Sequence, residues 1–173
     1  MLPKLTFVLG GASSGKSAFA ESLVVNTGAP RVYIATSQVF DDEMQAKIDA
    51  HLDMRGPDWT TLEEPLNAPA ALAQVQPDQV ALFDCATMWL SNHIFAESDL
   101  ARETDALIDA FHACKGRVVI VSNEVGMGVV PDNALARRFR DLQGKLNQRL
   151  AAASDLSVFV VAGLPMVLKG QLP

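Results

Sequence analysis

Five short apolar runs, KLTFVLG, RVYIAT, QVALFDC, GRVVIVSN and LSVFVVAG, recur along the chain with amphipathic stretches between them. They are rich in β-branched residues and lack strict alternation, the pattern of central strands covered on both faces. The intervening stretches predict helices at about 16–26, 41–54, 66–75, 86–95, 101–114 and 132–153. Strand and helix alternating from end to end predicts an α/β domain with a mainly parallel central sheet flanked by helices. At 173 residues and 49% hydrophobic, the chain can bury one sizeable core and is short for two. Residues 1–173 are therefore expected to form one domain, and no repeat, low-complexity tract or linker interrupts them.

The first run leads directly into GGASSGKS. Gly10, Gly15, Lys16 and Ser17 fit the spacing G-x-x-x-x-G-K-[ST]. Glycines let backbone N–H groups converge on phosphate oxygens, and the following helix presents its positive dipole end. Lys16 supplies a cation for the β and γ phosphates, and the Ser17 hydroxyl is a ligand for Mg²⁺. The setting between an apolar strand and a helix is the one this mechanism needs.

A partner for the loop is expected at the end of another central strand. QVALFDC ends in Asp84, the natural position for holding Mg²⁺ directly or through water; a helix-capping aspartate is the alternative. VSNEVGMGVVP leaves a further strand at the same carboxyl edge, where open α/β sheets bind ligands. Asn123 and Glu124 there either contact substrate or order a water, or simply shape the loop with Gly126 and Gly128. In DDEMQAKIDAHLDMR, Met44, Ile48, His51 and Leu52 share one helical face. A histidine there is either a half-buried structural residue or a nucleophile, since neutral imidazole attacks phosphorus. His93 and His112 have no supporting pattern, and three scattered histidines argue against a zinc site.

The net charge of −6 argues against a global attraction to nucleic acid or an anionic membrane. Residues 131–150 run the other way at +3, leaving −9 for the remainder. Leu135, Phe139, Leu142, Leu146 and Leu150 form the apolar stripe of that last helix, with Pro131 and Asp132 at its start. Its arginines and lysine read as a solvated face, and less readily as a grip on phosphates or a partner subunit. Cys85 and Cys114 form no C-x-x-C pair and suit reduced thiols. The opening MLPKLTFVLGGASS imitates a signal peptide, but its apolar run is short and its supposed cleavage region is the phosphate loop. No segment approaches the roughly 18 consecutive apolar residues of a membrane span. A soluble, cytoplasmic protein is expected.

Taken together, LGGASSGKSAFAE, YIATSQVFDDEMQAKIDAH, DCATMWLSN, VSNEVGMGVVPDNALARRFRDLQGKLNQRLAAASD and VVAGLPMVLKG resemble the bifunctional adenosylcobinamide kinase and adenosylcobinamide-phosphate guanylyltransferase family of cobalamin biosynthesis. The resemblance runs from the first strand to about residue 170, and its specificity lies in the DDEM and SNEVGMGVVP blocks more than in the phosphate loop. It implies a RecA-like P-loop NTPase domain assembled as a homotrimer or related homo-oligomer. It also implies adenosylcobinamide, adenosylcobinamide phosphate, ATP and GTP as substrates, Mg²⁺ as cofactor, and His51 as the acceptor of GMP from GTP. The nucleotide contacts it implies are Gly10, Gly11, Ala12, Ser13, Ser14, Gly15, Lys16 and Ser17, then Ala35, Thr36 and Ser37, then Leu52, Asp53, Met54 and Arg55, then Glu63 and Asp84. Two departures stand out. Ser13 occupies a position that is commonly arginine, and Ala50 replaces the histidine or bulkier residue often found before the nucleophile. The rival reading is a P-loop kinase for a small metabolite, with His51 structural.

Overall fold

The structure is a computed structural model that describes residues 1–38 and 58–173. The helix expected over 41–54, and with it His51, Leu52, Asp53, Met54 and Arg55, lies outside the described residues.

All five apolar runs are strands: β1 (Leu5–Gly10), β2 (Arg31–Ala35), β4 (Val80–Asp84), β5 (Arg117–Asn123) and β6 (Leu156–Val161). Two further strands, β3 (Trp59–Glu63) and β7 (Leu164–Lys169), complete one sheet in the order β3-β2-β4-β5-β1-β6-β7. All neighbours are parallel except β6 and β7. The expected RecA-like P-loop arrangement follows, with β5 between the phosphate-loop strand β1 and the aspartate strand β4.

Successive side chains along each strand go to opposite faces, and the chain fills both with apolar groups. Phe7, Ile34, Phe83 and Ile120 join Trp89, Leu90, Leu107, Phe111, Leu146 and Leu150 in one core. Their strand neighbours Val8, Tyr33, Leu82, Val119 and Val121 join Ala20, Leu23 and Val24 in the other. The first core is roofed by α2 (Ala68–Leu72), α3 (Ala86–Phe95), α4 (Leu100–Ala113) and α5 (Ala134–Ala153), the second by α1 (Lys16–Val25). Double coverage explains why these strands read as unbroken apolar runs.

Side chains mark the helix starts. Asn67, Asp99 and Asn133 accept from the N–H groups of Ala70, Arg102 and Ala136, each satisfying an otherwise orphaned donor. The last helix is thus capped one residue later than Asp132. Of its predicted stripe, Leu146 and Leu150 are buried, Phe139 and Leu142 pack partly, and Leu135 is exposed. The helix expected over 66–75 shortens to a five-residue α2.

The two unanticipated strands are both edges. In β3, Thr60, Thr61 and Glu63 are exposed, so no apolar run announces it. β7 folds back through Ala162 and Gly163, both at positive φ (51° and 77°), as a two-residue hairpin of the right twist requires. Pro165, which lacks a ladder donor, is tolerated on such an edge.

Candidate phosphate-loop site

The strand register sets the geometry of the carboxyl edge. Gly10 is level with Asn123 on β5, and Asp84 with Ala35 on β2, which is in turn level with Glu63 on β3. The phosphate loop, Asn123, Asp84, Ala35 and Glu63 therefore share one edge of the sheet.

Close approach dictates the loop's glycines. A Cβ on Gly10 would stand 2.3 Å from Ser14 Oγ and 2.9 Å from the Val160 carbonyl oxygen. Gly15 caps α1 at φ 88°, and a Cβ there would come within 2.9 Å of Gly163 Cα. Two backbone bonds brace the loop from outside: Gly163 N–H donates to the Ser14 carbonyl at 2.8 Å, and Glu124 N–H to the Gly10 carbonyl at 3.0 Å. Lys16 Nζ donates to the Gly11 carbonyl at 3.2 Å. Ala12 and Ser13 are exposed, and Ser14 Oγ is buried without a partner. A cavity of about 520 Å³ lies beside Gly11, Ala12, Ser13 and Ser14, walled by Glu124, Val125, Met127 and Phe159.

Asp84 receives a hydrogen bond on Oδ2 from the Tyr33 hydroxyl at 2.8 Å. Its neighbour Cys85 feels both charges of the site. Burial pushes the Cys85 thiol up to about 12, Asp84 adds to the rise, and Lys16 partly offsets it. Ser17 and Asp84 offer hard oxygen donors, which suit Mg²⁺. Among the described residues no group of three His, Cys, Asp or Glu side chains is placed to hold a metal. Mg²⁺ needs none, because it keeps several waters and takes its remaining ligands from phosphates and one or two side chains. The residues present fit the ion.

Other expected site residues hold the scaffold. Thr36 is fully buried; its hydroxyl donates to the Cys85 carbonyl and accepts the Cys85 N–H, both at 2.8 Å. Asn92 Nδ2 donates to the Thr36 carbonyl at 2.7 Å. Ser37 is half-buried beyond β2, and Glu63 is exposed at the end of β3. Glu124 Oε1 turns back to accept from Gly126 N–H, while Arg140 on α5 donates to the Gly126 carbonyl at 2.5 Å. His93 is buried, with its ring nitrogens bonded to Ser98 Oγ and the Leu66 carbonyl at 2.9 and 3.1 Å. His112 is exposed on α4.

Sequence reasoning missed Tyr33 and the Gly163 turn as parts of this site. Tyr33 sits inside an apolar run and reads as core. The turn lies in VVAGLP, whose Ala-Gly pair after a strand run is the available signal.

A strand, a glycine-rich loop and a helix N-terminus facing an acidic strand end define a P-loop nucleotide-binding protein of the α/β class. The family model described as cobinamide kinase / cobinamide phosphate guanyltransferase matches residues 6–168, and the chain belongs to that family. It is 43% identical over 167 residues to the bifunctional adenosylcobalamin biosynthesis protein CobP of Pseudomonas aeruginosa, covering 95% of this chain and 96% of that one. It is also 43% identical over 182 residues to the bifunctional adenosylcobalamin biosynthesis protein CobU of Salmonella typhimurium, covering 95% and 99%. A solved structure from Pyrococcus horikoshii superposes with a TM-score of 0.56 at 9% identity, covering 98% of this chain and 87% of that one; this likeness concerns the fold alone.

Proposed function

We propose that this protein is a bifunctional enzyme, an adenosylcobinamide kinase and adenosylcobinamide-phosphate guanylyltransferase. The observation that carries the reading is the family match over residues 6–168, on a chain whose phosphate loop and Asp84 share one sheet edge.

In the kinase step the acceptor hydroxyl oxygen of adenosylcobinamide attacks the γ-phosphorus of ATP or GTP. The bond from that phosphorus to the diphosphate breaks, and the hydroxyl proton is released. Gly10 through Ser17 hold the phosphates with backbone N–H groups, and Lys16 neutralises charge on the group in flight. Ser17 and Asp84 would hold Mg²⁺, which would supply charge neutralisation for the triphosphate. Ala35, Ser37 and Glu63 line the same edge for the nucleotide, and Thr36 supports it through Cys85.

In the guanylyl step a His51 ring nitrogen attacks the α-phosphorus of GTP and pyrophosphate leaves. A phosphate oxygen of adenosylcobinamide phosphate then attacks the histidine-bound GMP. The phosphorus–nitrogen bond breaks, free His51 returns, and adenosylcobinamide-GDP forms. A covalent intermediate divides one transfer into two displacements. Leu52, Asp53, Met54 and Arg55 are assigned to the nucleotide beside it.

We place the enzyme in the cytoplasm as a single nucleotide-binding domain that forms a homotrimer or related ring. The exposed apolar side chains of edge strand β7, Leu164, Met166 and Leu168, support assembly, because such an edge left bare invites aggregation. Among the described residues no helix is long and apolar enough to cross a membrane.

The deciding experiment supplies GTP labelled at the α-phosphate, then denatures the protein and maps the peptides. Label on His51, lost in mild acid, together with phosphorylation of adenosylcobinamide, is the expected result. Phosphorylation without any adduct would leave a kinase alone.

A further inference from the structure

Ser122, Gln143 and Asn147 are polar yet buried, at 0%, 0% and 7% exposure, and Thr87 is buried at 8%. Their hydrogen bonds have a single consistent direction. Asn147 Nδ2 donates to the Asn123 carbonyl at 3.1 Å, so its Oδ1 is free to accept from Ser122 Oγ at 2.7 Å. Ser122 has one proton and spends it there. The 3.4 Å contact between Thr87 and Ser122 hydroxyls must then run from Thr87 to Ser122. Thr87 Oγ1 in turn accepts the Asn123 N–H at 2.8 Å. The bonds close a ring that leaves Asn123 through its N–H, passes Thr87, Ser122 and Asn147, and returns to the Asn123 carbonyl. Gln143 Nε2 braces it with bonds to Ser122 Oγ and Asn147 Oδ1, both at 2.9 Å.

The ring has an address. Asn123 ends β5, the strand between the phosphate-loop strand and the Asp84 strand. It is level with Gly10, and the next N–H, that of Glu124, is bonded to Gly10 itself. Thr87 stands three residues after Asp84 at the start of α3, while Gln143 and Asn147 lie one turn apart on α5. The phosphate-loop strand, α3 and α5 are thereby tied to the end of β5. Gln143 Oε1 alone among these side-chain polar atoms is buried without a partner. The ring itself is closed, and buried polar groups joined in this way add little net stability over apolar packing of the same shape but specify a single geometry.

We propose that Thr87, Ser122, Gln143 and Asn147 are positioning residues for phosphoryl transfer, their ring holding the Asn123 peptide so that its side chain bears on the transferring group between the phosphate loop and Asp84. The inference rests on the kinase reading above. Small displacements at such a place are costly, because transfer depends on alignment of donor and acceptor.

The test compares Thr87→Val, which keeps shape but breaks the ring, with Thr87→Ser, which keeps the hydroxyl, and with Asn147→Ser at the opposite side. Adenosylcobinamide phosphorylation gives kcat and KM, and equilibrium dialysis gives ATP affinity. Thr87→Val and Asn147→Ser should lower kcat about 10- to 100-fold with KM for ATP within about twofold, and Thr87→Ser should restore kcat. In an Asn123→Ala background, Thr87→Val should lower kcat no further, since the ring then has no side chain to position. Unchanged kcat with a lowered melting temperature would overturn the proposal. So would loss of ATP binding in both ring-breaking variants, or full additivity with Asn123→Ala. A wild-type enzyme that fails to phosphorylate adenosylcobinamide would remove the kinase reading, and the proposal with it.

Discussion

Tyr33 on β2 donates its hydroxyl proton to Oδ2 of Asp84 on β4 across 2.8 Å, so the carboxylate assigned to Mg²⁺ is aimed by a phenol from the neighbouring strand. Partners that orient a ligating side chain typically alter metal affinity when removed. Tyr33→Phe should raise the Mg²⁺ concentration for half-maximal kinase activity by about tenfold, and Asp84→Asn by more. Titration of activity, paired with Mn²⁺ binding followed by magnetic resonance without turnover, checks both. An unchanged metal requirement in Asp84→Asn would return that residue to a structural role.

The loop glycines separate into those with room and those without. A Cβ on Gly11 meets nothing within 4 Å, whereas on Gly10 and Gly15 it meets neighbours at 2.3 and 2.9 Å. Gly11→Ala should stay within about 0.5 kcal/mol of wild type, while Gly10→Ala and Gly15→Ala lose about 1 to 3 kcal/mol and most nucleotide binding. Lys16→Ala should fold and bind weakly, with kcat down about 100- to 1000-fold. Urea melts and single-turnover phosphorylation distinguish the two classes.

The three histidines should part company. His51→Ala abolishes the GMP adduct and leaves ATP binding at the phosphate loop. His93→Ala removes a buried ring and two hydrogen bonds, costing about 2 to 4 kcal/mol without touching the adduct. His112→Ala, at an exposed position, should stay within about 0.5 kcal/mol. Intact mass after GTP treatment and thermal melts supply the readouts.

Both thiols are buried and free, and burial raises each above its ordinary 9.0, Cys85 to about 12. Near neutral pH both should resist iodoacetamide until the chain unfolds. The sign of the pH effect follows from proton counting. Between about 9 and 12 the unfolded chain gives up the Cys85 proton while the folded chain keeps it. Stability from this source is therefore full below pH 9 and falls as pH rises beyond it. Melting temperatures across that window should fall less steeply in Cys85→Ala.

Much of this protein was legible in its residues because the relevant information is local. Five strands announced themselves as apolar runs, since both faces of each are covered, and the phosphate loop and Asp84 followed from residues adjacent in the chain. The DDEM block allowed a helical face for His51, and only the family resemblance implied a nucleophile there. What the tertiary structure decided lies between residues far apart. Strands β3 and β7 are edges with mixed or exposed side chains, so pairing with β2 and β6 makes them strands. The order that sets β5 between β1 and β4 arises from satisfying backbone hydrogen bonds across the sheet while burying both its faces. Tyr33 and Asp84 are 51 residues apart in sequence, and Thr87 and Ser122 are 35. No periodicity links such pairs; a buried hydroxyl must find a partner, and packing alone determines which partner is within reach.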